Sequence, residues 1–277
     1  MNVDSEPGIE KKVCVTGAAG YLASLLIKRL LLSGKREESC SFVEGAKERL
    51  QLVKADLMDE GSFDNAVMGC SGMFHMGSPV LNPSFDPKPE TVEPAIQGSL
   101  NVLRSCKKNP HLRRVMLTSS SSTVRVREDL DLNVPLDETS WSSVELSCHP
   151  SLCSTASDFL GLLKGETKKF QWHRRMGYVH IDDVALCHIL VSEKDDDQGR
   201  YLCSTALMDN DELVSFLSAR YTLLPIPTRF EPMNRPCYEF DTSMVRSLGF
   251  EFKPIEQMFD NCVTSLVNQG YISSSPI

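Results

Sequence analysis

At 277 residues, 41% of them apolar, the chain is long enough for one large α/β domain or a nucleotide-binding domain with a smaller appended lobe. Its formal net charge of −8 argues against nucleic acid or an anionic membrane as the main partner. No apolar run approaches the ~20 residues that span a bilayer, and the polar, acidic first ten residues lead us to expect no signal peptide.

In chain order, an apolar strand, Val13-Cys14-Val15, runs straight into Thr16-Gly17-Ala18-Ala19-Gly20-Tyr21-Leu22-Ala23. A helix follows, with Leu22, Leu25, Leu26 and Leu30 at helical spacing. A strand, a glycine turn and a helix start let backbone N–H groups and the positive end of a helix dipole face a pyrophosphate. Gly17 permits the tight turn, Gly20 close backbone approach, and Ala23 close packing of helix on strand. An ordinary strand-to-helix turn is the plain alternative. The helix should end near Ser33-Gly34, and Lys35 to Ala46 reads as loop. Arg49 to Ala55 alternates like a strand ending at Asp56, and Asp59 could cap a short helix through Met68.

Gly72 to Met76 reads as a short buried strand ending at Gly77-Ser78-Pro79, followed by a proline-rich loop and a helix from about Pro94 to Lys108. Arg114 to Thr118 is the next strand, stopping at Ser119-Ser120-Ser121-Ser122. Repeated strand-then-helix units predict a Rossmann-type, doubly wound parallel sheet with helices on both faces, and ligands collect at its C-terminal strand ends. Val124 to Pro150 is loop-like, with Trp141 as an anchor. Helices are expected over Ser154–Lys164, after the lead-in Tyr178–Ala185 through Val191, from Asp209 to Tyr221, over Thr242–Leu248 and over Pro254–Gln269; Gly199–Ser204 reads as a strand. The division expected is a dinucleotide domain over 1–150 and a partial substrate lobe over 151–277.

The ten cysteines are scattered without a Cys-x-x-Cys, as reduced thiols in a cytoplasmic protein would be. Cys148, His149 and Cys153 approach metal-ligand spacing but lack a fourth ligand nearby, so no metal is expected.

These segments together resemble the extended short-chain dehydrogenase/reductases, and within them the plant branch of cinnamoyl-CoA, dihydroflavonol and tetraketide pyrone reductases. The resemblance rests on V-C-V-T-G-A-A-G-Y-L-A, L-V-K-A-D-L-M-D-E-G-S-F, M-F-H-M-G-S-P, I-Q-G-S-L-N-V-L, L-T-S-S-S-S-T-V, W-S-S-V-E-L, G-Y-V-H-I-D-D-V-A, G-R-Y-L-C-S and L-G-F-E-F-K-P. It implies NADP(H) as cofactor and a small carbonyl compound as substrate. By matching motif, Thr16, Gly17, Ala18, Gly20, Tyr21 and Leu22 would form the pyrophosphate loop. Asp56 and Leu57 would sit by the adenine, and Ser78 near the nicotinamide. Ser120 would be the serine of the family's Ser-Tyr-Lys triad, with Thr118 and Ser119 lining its pocket. His180 and Asp182 would brace the substrate lobe. Plainer readings stand beside these: Asp56 and Asp182 are good caps, and Ser119 to Ser122 could be a strand-ending turn.

The family's chemistry needs a tyrosine with a lysine four residues later on one helix face, the cation lowering the phenol pKa so that it can donate a proton. The residues four positions after the six tyrosines here are Leu25, Asp182, Thr205, Pro225, Thr242 and Ser275, so the dyad is absent. In relatives the segment after W-S-S-V-E-L carries that helix, another strand and part of the substrate wall. Here Val144-Glu145-Leu146 passes within about ten residues to Leu152–Asp158, which resembles sequence beyond the wall. A second gap falls at Lys35–Val43, where relatives have a second strand and an Arg-rich turn for the 2′-phosphate; Glu37 and Glu38 lie where an acidic ribose ligand could sit. The sheet is therefore expected to be incomplete. Three readings follow: an NADP(H)-dependent carbonyl reductase, a non-catalytic nucleotide- or partner-binding remnant, and a chain that does not fold stably.

Overall fold

The computed structural model describes residues 12–32, 46–78, 88–131, 133–143, 156–168, 170–171, 175–194, 198–231 and 237–273. They divide into two compact units, Met1–Thr118 with His188–Asp197, and Ser119–Cys187 with Gln198–Ile277.

The first unit is built on three short parallel strands in the order β1 (Val13–Val15), β2 (Gly72–His75) and β3 (Arg114–Leu117), with Val15 opposite Phe74 and Phe74 opposite Met116. Parallel neighbours need crossovers, and helices supply them. Between β1 and β2 lie α1 (Tyr21–Leu32) and the short α2 (Ala46–Arg49) and α3 (Asp64–Val67). Between β2 and β3, a π-type turn at Lys88–Val92 leads into α4 (Glu93–Lys107). α4 carries proline in its first turn, where its missing N–H costs nothing, and Glu93 at its start and Arg104 and Lys107 in its last turn complement the helix dipole. Its sheet-facing side buries Gly98, Asn101, Val102, Ser105 and Cys106. Val102 and Cys106 join Phe63, Val67 and Met73 in one apolar core.

Residues 50–55 correct the expectation of a strand over Arg49–Ala55. Arg49 ends α2, and the segment after it forms no strand ladder, leaving Leu52 79% exposed. In the doubly wound order 3-2-1-4-5-6, a third strand bonds only to the second and never reaches the first. No described residue pairs with the outer edge of β1, so this alternating segment has no ladder to join. The expected gap at Lys35–Val43 falls in 33–45, outside the described residues. The helix expected from Asp59 shortens to α3, because Asp59, Ser62 and Asp64 instead close successive turns through backbone bonds.

The second unit holds α5 (Ser122–Arg125), α6 (Ala156–Leu163), β4 (Arg175–Tyr178), α7 (Ile181–Glu193), β5 (Ala206–Asp209), α8 (Asn210–Arg220), α9 (Ser243–Ser247) and α10 (Ile255–Asn268); the division runs through α7 after Cys187. β4 and β5 pair antiparallel, Tyr178 opposite Ala206. α8 starts on a capping box, the Glu212 carboxylate accepting the Asp209 N–H at 2.7 Å. Leu162, Leu163, Leu213, Leu217 and Val263 fill the core, with Phe159 stacked on Phe259 at 5.4 Å between ring centres.

The strand expected over Gly199–Ser204 is not formed; β5 begins at Ala206. Side chains hold that stretch in place of a ladder: the Arg200 guanidinium donates to the carbonyls of Glu138 and Ser140, and the Leu202 N–H donates to the Glu138 carboxylate at 2.8 Å. Trp141 is not a buried anchor. It is 64% exposed, and the Arg200 guanidinium lies 3.7 Å over its ring.

Candidate functional site

The C-terminal end of β1 delivers Thr16 and Gly17 into a turn closed by the Gly20 N–H donating to the Gly17 carbonyl at 2.8 Å. Gly17 sits at φ +69°, and a Cβ there would lie 2.9 Å from the Gly77 Cα. Two backbones thus touch where β1 and β2 end, which only glycine permits. α1 starts immediately beyond, and the first-turn N–H groups of a helix have no intrahelical carbonyl to bind. A cavity of about 1890 Å³ opens on this corner of the first unit. Thr16, Gly17, Ala18 and Gly20 line it, as do Asp56, Leu57 and Ser78, so the fold brings seven of the expected residues together. Tyr21 is exposed and, like Leu22 and Thr118, lies outside that lining. Replacing Gly17 by alanine is expected to abolish dinucleotide binding in calorimetry, because strained φ and the Gly77 contact both oppose the added methyl.

Thr16 is the knot of this corner. Its hydroxyl oxygen accepts the N–H groups of Met76 and Gly77 at 3.0 and 2.9 Å and lies 2.9 Å from His75 Nδ1. His75 Nε2 in turn lies 3.1 Å from the Ser99 hydroxyl on α4. Burial pushes the His75 pKa below its ordinary 6.5. The unfolded chain therefore takes up a proton that the folded one resists, and stability falls as pH drops below about 6.5. Melting temperatures at pH 7.5 and 5.5 should show the loss, and His75→Phe should reduce it.

Asp56 turns the chain toward α3: its carboxylate accepts the Met58 N–H at 2.9 Å, and its carbonyl accepts the Ser62 hydroxyl at 2.7 Å. Asn101 on α4 donates to the Leu57 carbonyl at 2.8 Å, and α4 comes so close that a Cβ on Gly98 would lie 3.0 Å from the Leu57 Cβ. Thr118 follows β3, its hydroxyl 2.9 Å from His188 Nε2.

The remaining expected residues belong to the second unit. Ser119 and Ser120 are exposed. The Ser120 oxygen accepts both the N–H and the hydroxyl of Ser122, at 3.2 and 2.9 Å, leaving its own proton free to donate. His180 Nδ1 accepts the Asp182 N–H at 3.0 Å, and its Nε2 faces the Asn261 amide at 3.1 Å. Lys253 Nζ bridges Asp182 and Asp183 at 2.8 and 2.7 Å.

Residues 13–141 match the NAD dependent epimerase/dehydratase family. The chain is 55% identical to tetraketide alpha-pyrone reductase 1 of Arabidopsis thaliana, over 95% of this chain and 97% of that one. The chain belongs to this family, the extended short-chain dehydrogenase/reductases. It is also 33% identical to tetraketide alpha-pyrone reductase 2 of the same plant, over 93% of this chain and 98% of the other. Among solved structures it is similar to vestitone reductase from alfalfa, with a TM-score of 0.74 at 28% identity, covering 94% of this chain and 99% of that one.

This member of the family is short from within. The alignment with the 55% identical relative runs 317 positions, while 95% of 277 residues is about 263, so about 54 positions have no counterpart here. The dinucleotide implied by the family fits the cradle on structural grounds. A Cβ at Gly17 would clash with the Gly77 backbone beside it, backbone N–H groups and a helix N-terminus form its donor set, and no anionic side chain stands among Thr16–Gly20. Sequence reading missed His75, Ser99 and Asn101. The signal available was the small and polar series Gly98, Asn101 and Ser105, at helical spacing on the buried face of α4. It also missed Lys253, which nothing in local spacing joins to Asp183, seventy positions away.

Proposed function

We propose that this chain binds a nicotinamide dinucleotide, NADP(H), in the cradle of its first unit and reduces a carbonyl on a polyketide- or phenylpropanoid-type small molecule. The observation that carries the reading is the Gly17–Gly77 contact at the head of α1, in a chain 55% identical to a reductase of that kind. When bound, the nicotinamide supplies hydride. Thr16 to Gly20 would hold the pyrophosphate, Asp56 and Leu57 the adenine end, and Ser78 the nicotinamide side. Ser120, whose oxygen is already oriented by Ser122, would donate a hydrogen bond to the substrate carbonyl oxygen and keep its proton. With no tyrosine–lysine pair, the final proton would come from water.

The acidic charge favours a small-molecule partner over nucleic acid or an anionic membrane surface. Among the described residues no helix is long and apolar enough to cross a membrane, and seven cysteines are unpaired, which supports a reducing, cytoplasmic setting.

A second reading, a nucleotide- or partner-binding remnant without turnover, is favoured by the missing dyad. Calorimetry with NADPH and NADH, followed by absorbance assays against a panel of carbonyl compounds, separates the two. Binding with turnover above a Ser120→Ala control supports reduction. Binding without turnover supports the remnant, and no binding of either dinucleotide overturns the reductase reading and leaves only a partner-binding role or a misfolded chain.

A further inference from the structure

The Thr16–His75–Ser99 series resolves to a single hydrogen-bond arrangement. A hydroxyl oxygen has two lone pairs and one proton. The Met76 and Gly77 N–H groups take both lone pairs of Thr16. Its proton must therefore go to His75 Nδ1, which makes Nδ1 the acceptor and places the imidazole proton on Nε2, pointing at the Ser99 hydroxyl. Thr16 is buried and His75 is 2% exposed, so water does not substitute for these partners.

We propose that His75 is a positioning residue for dinucleotide binding: held by Ser99 on α4, its Nε2–H tautomer orients the Thr16 hydroxyl that staples the Gly17 turn to the Met76–Gly77 backbone. This rests on the reading of the Gly17 corner as the dinucleotide cradle. The staple spans the point where Gly17 and Gly77 touch, so it sets the spacing of the two loops that face the cavity. Ser99 lies outside the cavity lining, and its hydroxyl meets the staple through the ring.

The test begins with NADPH and NADH titrations of the whole chain by calorimetry, alongside melting curves that confirm each variant is folded. His75→Phe keeps the ring volume but removes acceptor and donor, and should weaken NADPH binding about tenfold. Ser99→Ala should weaken it by a smaller factor, about threefold, whereas Ser99→Thr, which keeps the acceptor, should stay within about twofold of the unaltered chain. Should His75→Phe fail to fold, the Ser99 pair carries the comparison. Nitrogen-15 NMR of the free protein should show Nδ1 unprotonated and Nε2 protonated. The proposal is overturned by an Nδ1–H tautomer, or by folded variants that bind NADPH as tightly as the unaltered chain. If the unaltered chain binds neither NADPH nor NADH, the cradle itself is refuted, and this positioning role with it.

Discussion

NADPH-dependent carbonyl reduction by this chain is expected to run about 10²–10⁴-fold slower than by a family member that keeps a tyrosine with a lysine four residues on. The reason is not only that no tyrosine here has that partner. Burial pushes the Tyr178 phenol pKa up, and Tyr221 and Tyr238 are shifted the same way by burial first. The Tyr221 hydroxyl donates to Asp260 at 2.9 Å, and the Tyr238 hydroxyl to the Arg175 carbonyl at 2.6 Å. The Tyr221 and Tyr238 phenols are structural, and their protons are committed. Without a positioned acid, what remains is carbonyl polarisation by Ser120 and the alignment that the cradle provides. Initial rates of absorbance loss should therefore fall further in Ser120→Ala, to the residual that alignment by the cradle provides. A rate within tenfold of a tyrosine-bearing relative would show that another group donates the proton.

Replacing Lys253 by methionine is expected to destabilise the second unit by about 3–5 kcal/mol, the usual consequence of leaving a buried charge uncompensated. Lys253 bridges the Asp182 and Asp183 carboxylates, and its own N–H donates to Asp183 at 2.8 Å. Asp183 is 1% exposed, so its charge has no water to turn to once the ammonium is gone. A fall of about 10 °C in the melting transition would match that loss. Burial alone lowers the Lys253 pKa, but hydrogen bonds and charge from the two aspartates outweigh it and leave it above 10.5. The folded state holds that proton more tightly than the unfolded one. The contribution is therefore complete below about pH 10.5 and disappears as pH rises past it. Chemical denaturation at pH 8 and 11 should reveal the difference in the unaltered chain and not in Lys253→Met.

Much of the fold was legible because its signals are local. The glycine turn before α1, the apolar runs of β2 and β3, and the Asp209–Glu212 cap of α8 each occupy a few adjacent residues. Two expected strands failed for a common reason. Arg49–Ala55 has the alternation of a strand, and Gly199–Ser204 its apolar character, yet a strand exists only where a neighbour offers its edge. The first has no partner among the described residues, and the second is tied by Glu138 and Arg200 instead.

The candidate site divides the same way. Residue types and spacing in the sequence alone determined that a glycine turn joins β1 to a helix and that no tyrosine has a lysine four residues on, and the resemblance of its motifs pointed to the extended short-chain dehydrogenase/reductases. These are properties of short motifs or of their absence, and they need no third dimension. Only the tertiary structure decided that Gly17 meets Gly77, that Thr16 and His75 staple those loops to α4, and that Lys253 closes on Asp182 and Asp183. Those contacts join residues 24 or more positions apart. Chain entropy opposes such closures, and the burial of the surrounding core is what offsets it.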